Sequence, residues 1–347
     1  MAGAETGRVD RHADVATSVT SVVYVLELAG TDDEFAAYEA GCAASDVSVV
    51  APGLATARGL TDRFDALAYT HRASELLGTC GPTVADANAL LGACHIDRTG
   101  TAAVRAVDVR GTTDIDTQAV ERELGSELVE RGFEIDLDDP AHELRALFAG
   151  ETCALGWLAA KTEREFGKRR PPDRPFVQPG SMSAMLARAL ANMAGARPGA
   201  TVVDPMCGTG GILVEAGLVG ARALGVDAQQ KMVAGARENL AEYLGDQARA
   251  DWSVVRGDAA SLPVAADAVD AVVFDTPYGR QSKIRGDLNQ LVLDALREAR
   301  RVASRCVVVG DRPWAQPAAA AGWTTEAAFD RRVHRSLTRY IIVLRQR

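Results

Sequence analysis

The 347-residue chain lacks several things that would direct it to particular classes of protein. No apolar stretch reaches the roughly 18 residues a membrane span needs. The N-terminal Glu5, Arg8, Asp10, Arg11 and Asp14 leave no apolar core for a signal peptide, so a cytoplasmic protein with no membrane partner is expected. The cysteines, Cys42, Cys80, Cys94, Cys153, Cys207 and Cys306, are scattered, with no C-x-x-C pair and no histidine at a ligand spacing. That pattern supports neither a metal site nor a disulfide framework, and the thiols read as buried packing groups.

Lysine is also scarce, confined to Lys161, Lys168, Lys231 and Lys283, and the formal net charge is -9. A negative chain is a poor first candidate for a nucleic-acid partner, because phosphate binding draws on Lys and Arg. The abundance of Arg, Asp and Ala, however, resembles the bias of proteins adapted to high intracellular salt. At ~1 M salt the Debye length is about 3 Å, so a global field hardly repels RNA and local contacts decide. Basic residues do cluster between Lys161 and Arg174 and again around Arg280 and Lys283. Taken singly, each cluster reads as a solvated face or a linker. Their recurrence near the second motif described below makes Arg169, Arg170, Arg174, Arg280 and Lys283 the candidate RNA contacts.

Two patterns divide the chain. The first half reads as α+β: strands over 21–29, 47–51, 65–77, 102–110, 143–148 and 153–160, with helices over 31–44, 87–92 and 117–131. A Pro- and Arg-rich stretch follows, the best linker in the sequence. Beyond it strands and helices alternate: a helix over 183–193, then strands ending at Asp204, Val226, Arg256 and Asp275 with helices between, a helix over 288–303, a strand over 306–310, and a closing pair over 323–329 and 339–344. Alternation predicts a parallel sheet covered on both faces, here finished by an antiparallel hairpin.

Ligands of such sheets bind beyond the carboxyl ends of the strands. The first strand runs into Asp204-Pro205-Met206-Cys207-Gly208-Thr209-Gly210-Gly211, whose glycines permit a sharp turn and close backbone approach before a helix N-terminus. A plain strand-to-helix turn or a dinucleotide loop fits this as well, although a G-x-G-x-x-G loop would need glycine where Leu213 stands. Asp227 follows the second strand, where a carboxylate can accept from both ribose hydroxyls, and Asp258 follows the third, suited to an adenine amine. Acidic residues at successive strand ends favour S-adenosylmethionine, whose sulfonium and amino groups are cationic. Cys207 is a packing residue on this reading, since methyl transfer to an amine needs no thiol. The fourth strand ends in Asp275-Thr276-Pro277-Tyr278. A carboxylate and a backbone carbonyl accepting from the two N–H groups of an exocyclic amine would free its lone pair, and the tyrosine can stack on an unstacked base. In isolation an ordinary D-x-P turn would be the first reading of this tetrapeptide.

With Arg174 to Met182, Gly225-Val226-Asp227 and Gly257-Asp258, these motifs make the chain resemble the archaeal tRNA (guanine-10 N2) methyltransferase and dimethyltransferase family, which carries a THUMP domain. The resemblance covers most of the chain, with its specific motifs in the second half. It implies a Rossmann-like α/β methyltransferase with a seven-stranded mixed sheet over 179–347, preceded by an α+β THUMP-containing RNA-binding region. That region would comprise a ferredoxin-like domain over 1–64, a THUMP domain over 65–165 and a linker over 166–178. The donor pocket would draw on Pro179, Ser181, Asp204, Met206, Gly208, Gly210, Asp227, Ala228, Asp258 and Ala259. The acceptor guanine would meet Asp275, Thr276, Pro277 and Tyr278, and the partner would be tRNA, bound by a monomer. Thr276 departs from the family, in which a second proline is usual; its hydroxyl could add a hydrogen bond and the turn could be looser. Other targets remain open: another guanosine in tRNA or ribosomal RNA, adenine-N6 in DNA, or an RNA-binding module with an inactive methyltransferase-like domain.

Overall fold

The computed structural model describes residues 22–245, 251–277, 287–334 and 337–346. Eleven elements build the first half: β1 (Val23–Leu28), α1 (Asp33–Ala40), β2 (Ala44–Ala51), β3 (Leu54–Leu60), β4 (Thr70–Cys80), α2 (Val84–Ala93), β5 (Thr101–Asp108), α3 (Thr117–Glu130), β6 (Glu134–Ile135), β7 (His142–Ala149) and β8 (Thr152–Lys161). Side-chain caps start the helices, Asp32 for α1, Thr83 for α2 and Asp116 for α3, each oxygen satisfying a backbone N–H of the first turn.

All eight strands join one sheet in the order β2-β3-β1-β4-β8-β7-β5-β6. The boundary expected at residue 64 therefore falls within a unit that shares one sheet, because β1 pairs antiparallel with β4 across it. The cores divide instead. Ala87, Leu91, Leu124, Leu128, Phe133 and Trp157 belong to one core, whereas Leu26, Phe35, Ala57, Phe64 and Tyr69 belong to another that continues into the second half of the chain. The strand expected from Asp65 begins only at Thr70, since Phe64–Ala66 form a helical turn with Phe64 buried. Strand β3 was not expected at all. Its L-A-T-A-R-G-L sequence has little β preference of its own, and pairing with β1 and β2 on both sides supplies the structure.

The second half contains α4 (Ala184–Ala194), β9 (Thr201–Asp204), α5 (Gly211–Leu218), β10 (Arg222–Asp227), α6 (Gln230–Leu244), β11 (Trp252–Arg256), β12 (Ala271–Asp275), α7 (Leu288–Val302), β13 (Arg305–Gly310), α8 (Ala315–Ala320), β14 (Thr324–His334) and β15 (Leu337–Arg345). Its sheet has the order β11-β10-β9-β12-β13-β15-β14, five parallel strands closed by a hairpin whose β15 runs antiparallel to β13. This is the Rossmann-like mixed seven-stranded sheet expected from the sequence. Residues of α4, α5 and α6 pack with one face; α7 and α8 pack with the other.

Helix α4 is apolar nearly all round, as a helix covered on two sides must be. Ala187, Leu190, Ala191 and Met193 share a core with Val273 and Val307 of the sheet and with Phe35 and Ala36 of α1. Asn192 on α4 donates to the buried Glu39 (2.7 Å) and to the Ala66 carbonyl (3.0 Å). Arg331 on β14 lies over the rings of Phe35 and Tyr69, at 4.3 and 4.7 Å. The two halves are thus joined by a core and by buried polar groups, not by a chain crossing alone.

Candidate active site

Because β9, β10, β11 and β12 are parallel, their carboxyl ends lie on one edge of the sheet. Strand order reverses between β9 and β12, which makes the crevice beyond these two strands the expected ligand site. Asp204 ends β9, Asp227 ends β10 and Asp275 ends β12. Asp204 is 2% exposed and accepts the Met206 N–H at 3.0 Å. Burial raises its pKa well above the usual carboxylate range; the Met206 bond opposes this, and the Asp227 and Asp275 carboxylates push the same way as burial. Asp227 is raised too, by burial against the backbone N–H groups of Gln229 and Gly208, which it accepts at 2.9 and 3.0 Å. Among the described residues neither Asp204 nor Asp227 forms an ion pair. Two carboxylates held this way suit a cationic ligand, whose charge would favour the ionised forms that burial opposes.

The glycine loop divides its labour. Gly208 has φ +51° with nothing but the Met206 carbonyl near the position of a Cβ, at 4.0 Å, so its backbone conformation is what requires glycine. Gly210, also left-handed at φ +76°, faces α6 instead: a Cβ there would lie 2.7 Å from Leu240. Its role is close packing under the loop, so its placement in the donor pocket rests on its backbone alone. Asn239, fully buried on α6, accepts the Phe176 N–H and donates to the Phe176 and Thr209 carbonyls, fixing the preceding segment to the loop. Ser181 donates to the Gln178 carbonyl (2.7 Å) and stands 3.4 Å from the Thr209 hydroxyl, whereas Pro179 is exposed. Met206 is half-buried, Ala228 is exposed with its carbonyl accepting from Arg256, and Ala259 is buried. Asp258 is exposed and caps its own turn through the Ala260 N–H at 2.9 Å.

At the acceptor turn, Thr276 donates its backbone N–H to Val309 at 2.8 Å, extending the β12 ladder past Asp275. A proline has no N–H to give, so threonine here tightens the turn. The expected extra side-chain bond is absent: the Thr276 hydroxyl, like the Trp314 indole N–H, is buried without a hydrogen-bond partner among the described residues. Both atoms crowd Gly310, at 2.6 and 2.1 Å from where a Cβ would stand. Pro277 is half-buried. Tyr278, Arg280 and Lys283 lie outside the described residues.

Two expected RNA contacts belong to the interior. Arg169 donates to Glu215 at 2.8 and 3.2 Å, and Arg188 completes the cluster at 2.9 Å from the same carboxylate, which is wholly buried. Arg174 is 5% exposed and donates to the Arg169 and Met182 carbonyls; Gly211 leaves room for its guanidinium. The reason is tertiary: the stretch expected as a linker carries two helical turns, Glu165–Arg169 against α4 and Pro171–Asp173, and Arg169 and Arg174 reach Glu215 and Gly211 of α5. Arg170 alone of the three is exposed, paired with Asp173.

One buried cation beside the site escaped the sequence reading. Arg339 on β15 is 5% exposed, donates to the Gly180 carbonyl at 3.0 Å and stands 3.9 Å from the Asp275 carboxylate. The available signal was its parity with Ile341 and Val343, both in the core, which puts a charge on the inward face of a strand.

A seven-stranded sheet of this order with acidic strand ends defines the Rossmann-like, S-adenosylmethionine-dependent methyltransferases. In agreement, the family model described as "RMKL-like, methyltransferase domain" matches residues 171–341. The tRNA (guanine(10)-N2)-dimethyltransferase of Methanothermobacter thermautotrophicus is 33% identical over 287 residues, 80% of this chain and 83% of the relative. Its counterpart from Pyrococcus abyssi is 30% identical over 254 residues, 72% and 75% of the two chains. Among solved structures, TrmN from Thermus thermophilus covers 94% of this chain and 100% of its own at 22% identity, with a TM-score of 0.49. The chain belongs to the family of tRNA (guanine(10)-N2)-dimethyltransferases.

Proposed function

We propose that the protein methylates the exocyclic N2 amine of guanosine 10 in tRNA, giving N2-methylguanosine and then N2,N2-dimethylguanosine. The observation that carries this reading is the adjacency of Asp204 and Asp227 to the Asp275-Thr276-Pro277 turn on one sheet edge. Bound S-adenosylmethionine supplies the transferable methyl on a cationic sulfur. Asp204 would face the cationic end of the donor. Asp227, whose oxygens each have a further lone pair beyond the bonds to Gly208 and Gln229, would accept from the ribose, and Asp258 with Ala259 would line the adenine.

On the acceptor side, Asp275 and the Thr276 carbonyl would accept from the guanine amine and turn its lone pair toward the methyl. The proton released on transfer goes to Asp275 or to water. The base must leave its stack to reach this edge, at a few kcal/mol, and stacking on Tyr278 would return about 1–3 kcal/mol. The eight-stranded N-terminal sheet, read as THUMP-containing, would grip the tRNA and hold its target over the crevice, with Arg170, Arg280 and Lys283 as RNA contacts. The tight packing of α1 on α4 supports such fixed geometry. We read the enzyme as a cytoplasmic monomer; no helix among the described residues is long and apolar enough to cross a membrane.

The test is transfer of labelled methyl from S-adenosylmethionine to unmodified tRNA transcripts in high salt, with nucleoside analysis and mapping. N2-methylated guanosine at position 10 is the expected product. Label on another guanosine would keep the chemistry and change the target, and no label despite donor binding would end the tRNA reading.

A further inference from the structure

Arg339 occupies a position that the methyl-transfer chemistry above does not use. It points inward from β15, on the side of the sheet covered by α4, and meets two elements. One is the Gly180 carbonyl, in the turn that leads into α4; this glycine has φ +85°, and the next residue, Ser181, ties the same turn to Thr209 of the glycine loop. The other is the carboxylate of Asp275. The turn over 178–182 is therefore pinned on one side to the donor loop and on the other to the strand that carries Arg339. A buried guanidinium with its rigid fork of donors can serve both contacts at once, which a flexible ammonium cannot do in the same geometry.

We propose that Arg339 is a positioning residue that couples the donor-side turn to the acceptor carboxylate, acting through Gly180 on the donor pocket and through Asp275 on the reacting amine. Asp204, Asp227 and Asp275 bring three carboxylates together, and Arg339 stands beside Asp275. It holds the Asp275 carboxylate in place at the end of β12, while Asp204 and Asp227 are left for the cationic donor. The inference rests on the reading of Asp275 as the acceptor residue.

Arg339→Gln and Arg339→Lys would be compared with wild type in two measurements: calorimetric titration with S-adenosylhomocysteine, and single-turnover transfer to unmodified tRNA at saturating donor, with thermal melting alongside. Arg339→Gln should weaken ligand binding by roughly tenfold through the freed Gly180 turn. It should slow single-turnover transfer by about a hundredfold even when saturated, because a misplacement on the ångström scale has that effect. Arg339→Lys should recover part of the rate, since the charge is kept and only the fork is lost. Arg339→Gln within about threefold of wild type in both measurements would overturn the proposal. Equal losses in the Gln and Lys variants that follow a lowered melting temperature would also overturn it, by reducing Arg339 to a structural residue. Should wild type itself methylate no tRNA, the functional reading falls separately, and the titration still decides whether Arg339 orders the donor turn.

Discussion

The two sheets of this protein treat buried charge in opposite ways. In the N-terminal sheet, the buried acidic group Glu27 is matched by a cation: it accepts from Arg145 at 2.8 and 3.0 Å, and the same arginine reaches Glu143 at 3.0 Å. In the C-terminal sheet, the Arg169, Arg188 and Glu215 cluster follows that rule away from the crevice, but Asp204 and Asp227 face one another's charge at the strand ends. A matched pair holds a scaffold together, because removing one partner strands the other. Carboxylates held as Asp204 and Asp227 are, without an ion pair among the described residues, resist ionising until a cationic ligand favours their charged forms. The difference separates framework from site within a single chain.

The largest expected effect sharpens the site half of this contrast. Asp275→Ala should lower transfer by roughly 10²–10⁴-fold, the range lost when a positioned acid–base group is removed, with donor titration nearly unchanged. Turnover near the wild-type rate would remove its assigned role. The framework half is probed by Glu215→Ala, which leaves Arg169 and Arg188 buried without their carboxylate. A loss of about 3–5 kcal/mol in denaturant-induced unfolding is expected, and a loss below about 1 kcal/mol would mean the cluster is replaceable.

Asp227→Ala should weaken donor binding by roughly tenfold to a hundredfold, as for a hydrogen bond to a charged group, with an added contribution from the lost support of Gly208. An unchanged titration would sink its assignment. Thr276→Pro, which restores the residue usual in the family, removes the N–H bonded to Val309 and should cost about 1 kcal/mol of stability by chemical denaturation.

The smallest effect is the one whose direction matters most. Asp204 has its pKa raised by burial, so the folded protein holds that proton more tightly than the unfolded chain does. The stability it contributes is present below the ordinary Asp pKa and is lost as pH rises toward the raised folded value. Asp204→Asn, which keeps an acceptor for the Met206 N–H, should therefore melt slightly higher than wild type at neutral pH while binding the donor more weakly. A lower melting temperature with unaltered donor affinity would break the comparison between the two sheets.

Much of the second half was legible because its signals are local. Apolar runs ending at Asp204, Asp227 and Asp275 announce strands with carboxylates at their ends, and the glycine loop and the acceptor turn are contiguous in sequence. The first half was less legible. Strand β3 has small, weakly β-forming residues and exists through its neighbours, and the 166–178 stretch reads as a linker because proline and arginine are usual in exposed chain. Its actual fate follows from contacts with Glu215, Met182 and Gly211, none of which the local pattern can reveal.

The sequence by itself determined the fold class, the alternation of strands and helices in the second half, and the acidic residues at its strand ends, because strand periodicity and strand-end chemistry are written in consecutive residues. Tertiary structure alone decided which arginines are buried, that the N-terminal strands form a single sheet with three cores, and that Arg339 meets Asp275 and Gly180 at one point. Those outcomes depend on which distant segments the topology brings together, and a charge can be assigned to RNA, to a salt bridge or to a reacting carboxylate only once its neighbours are in place.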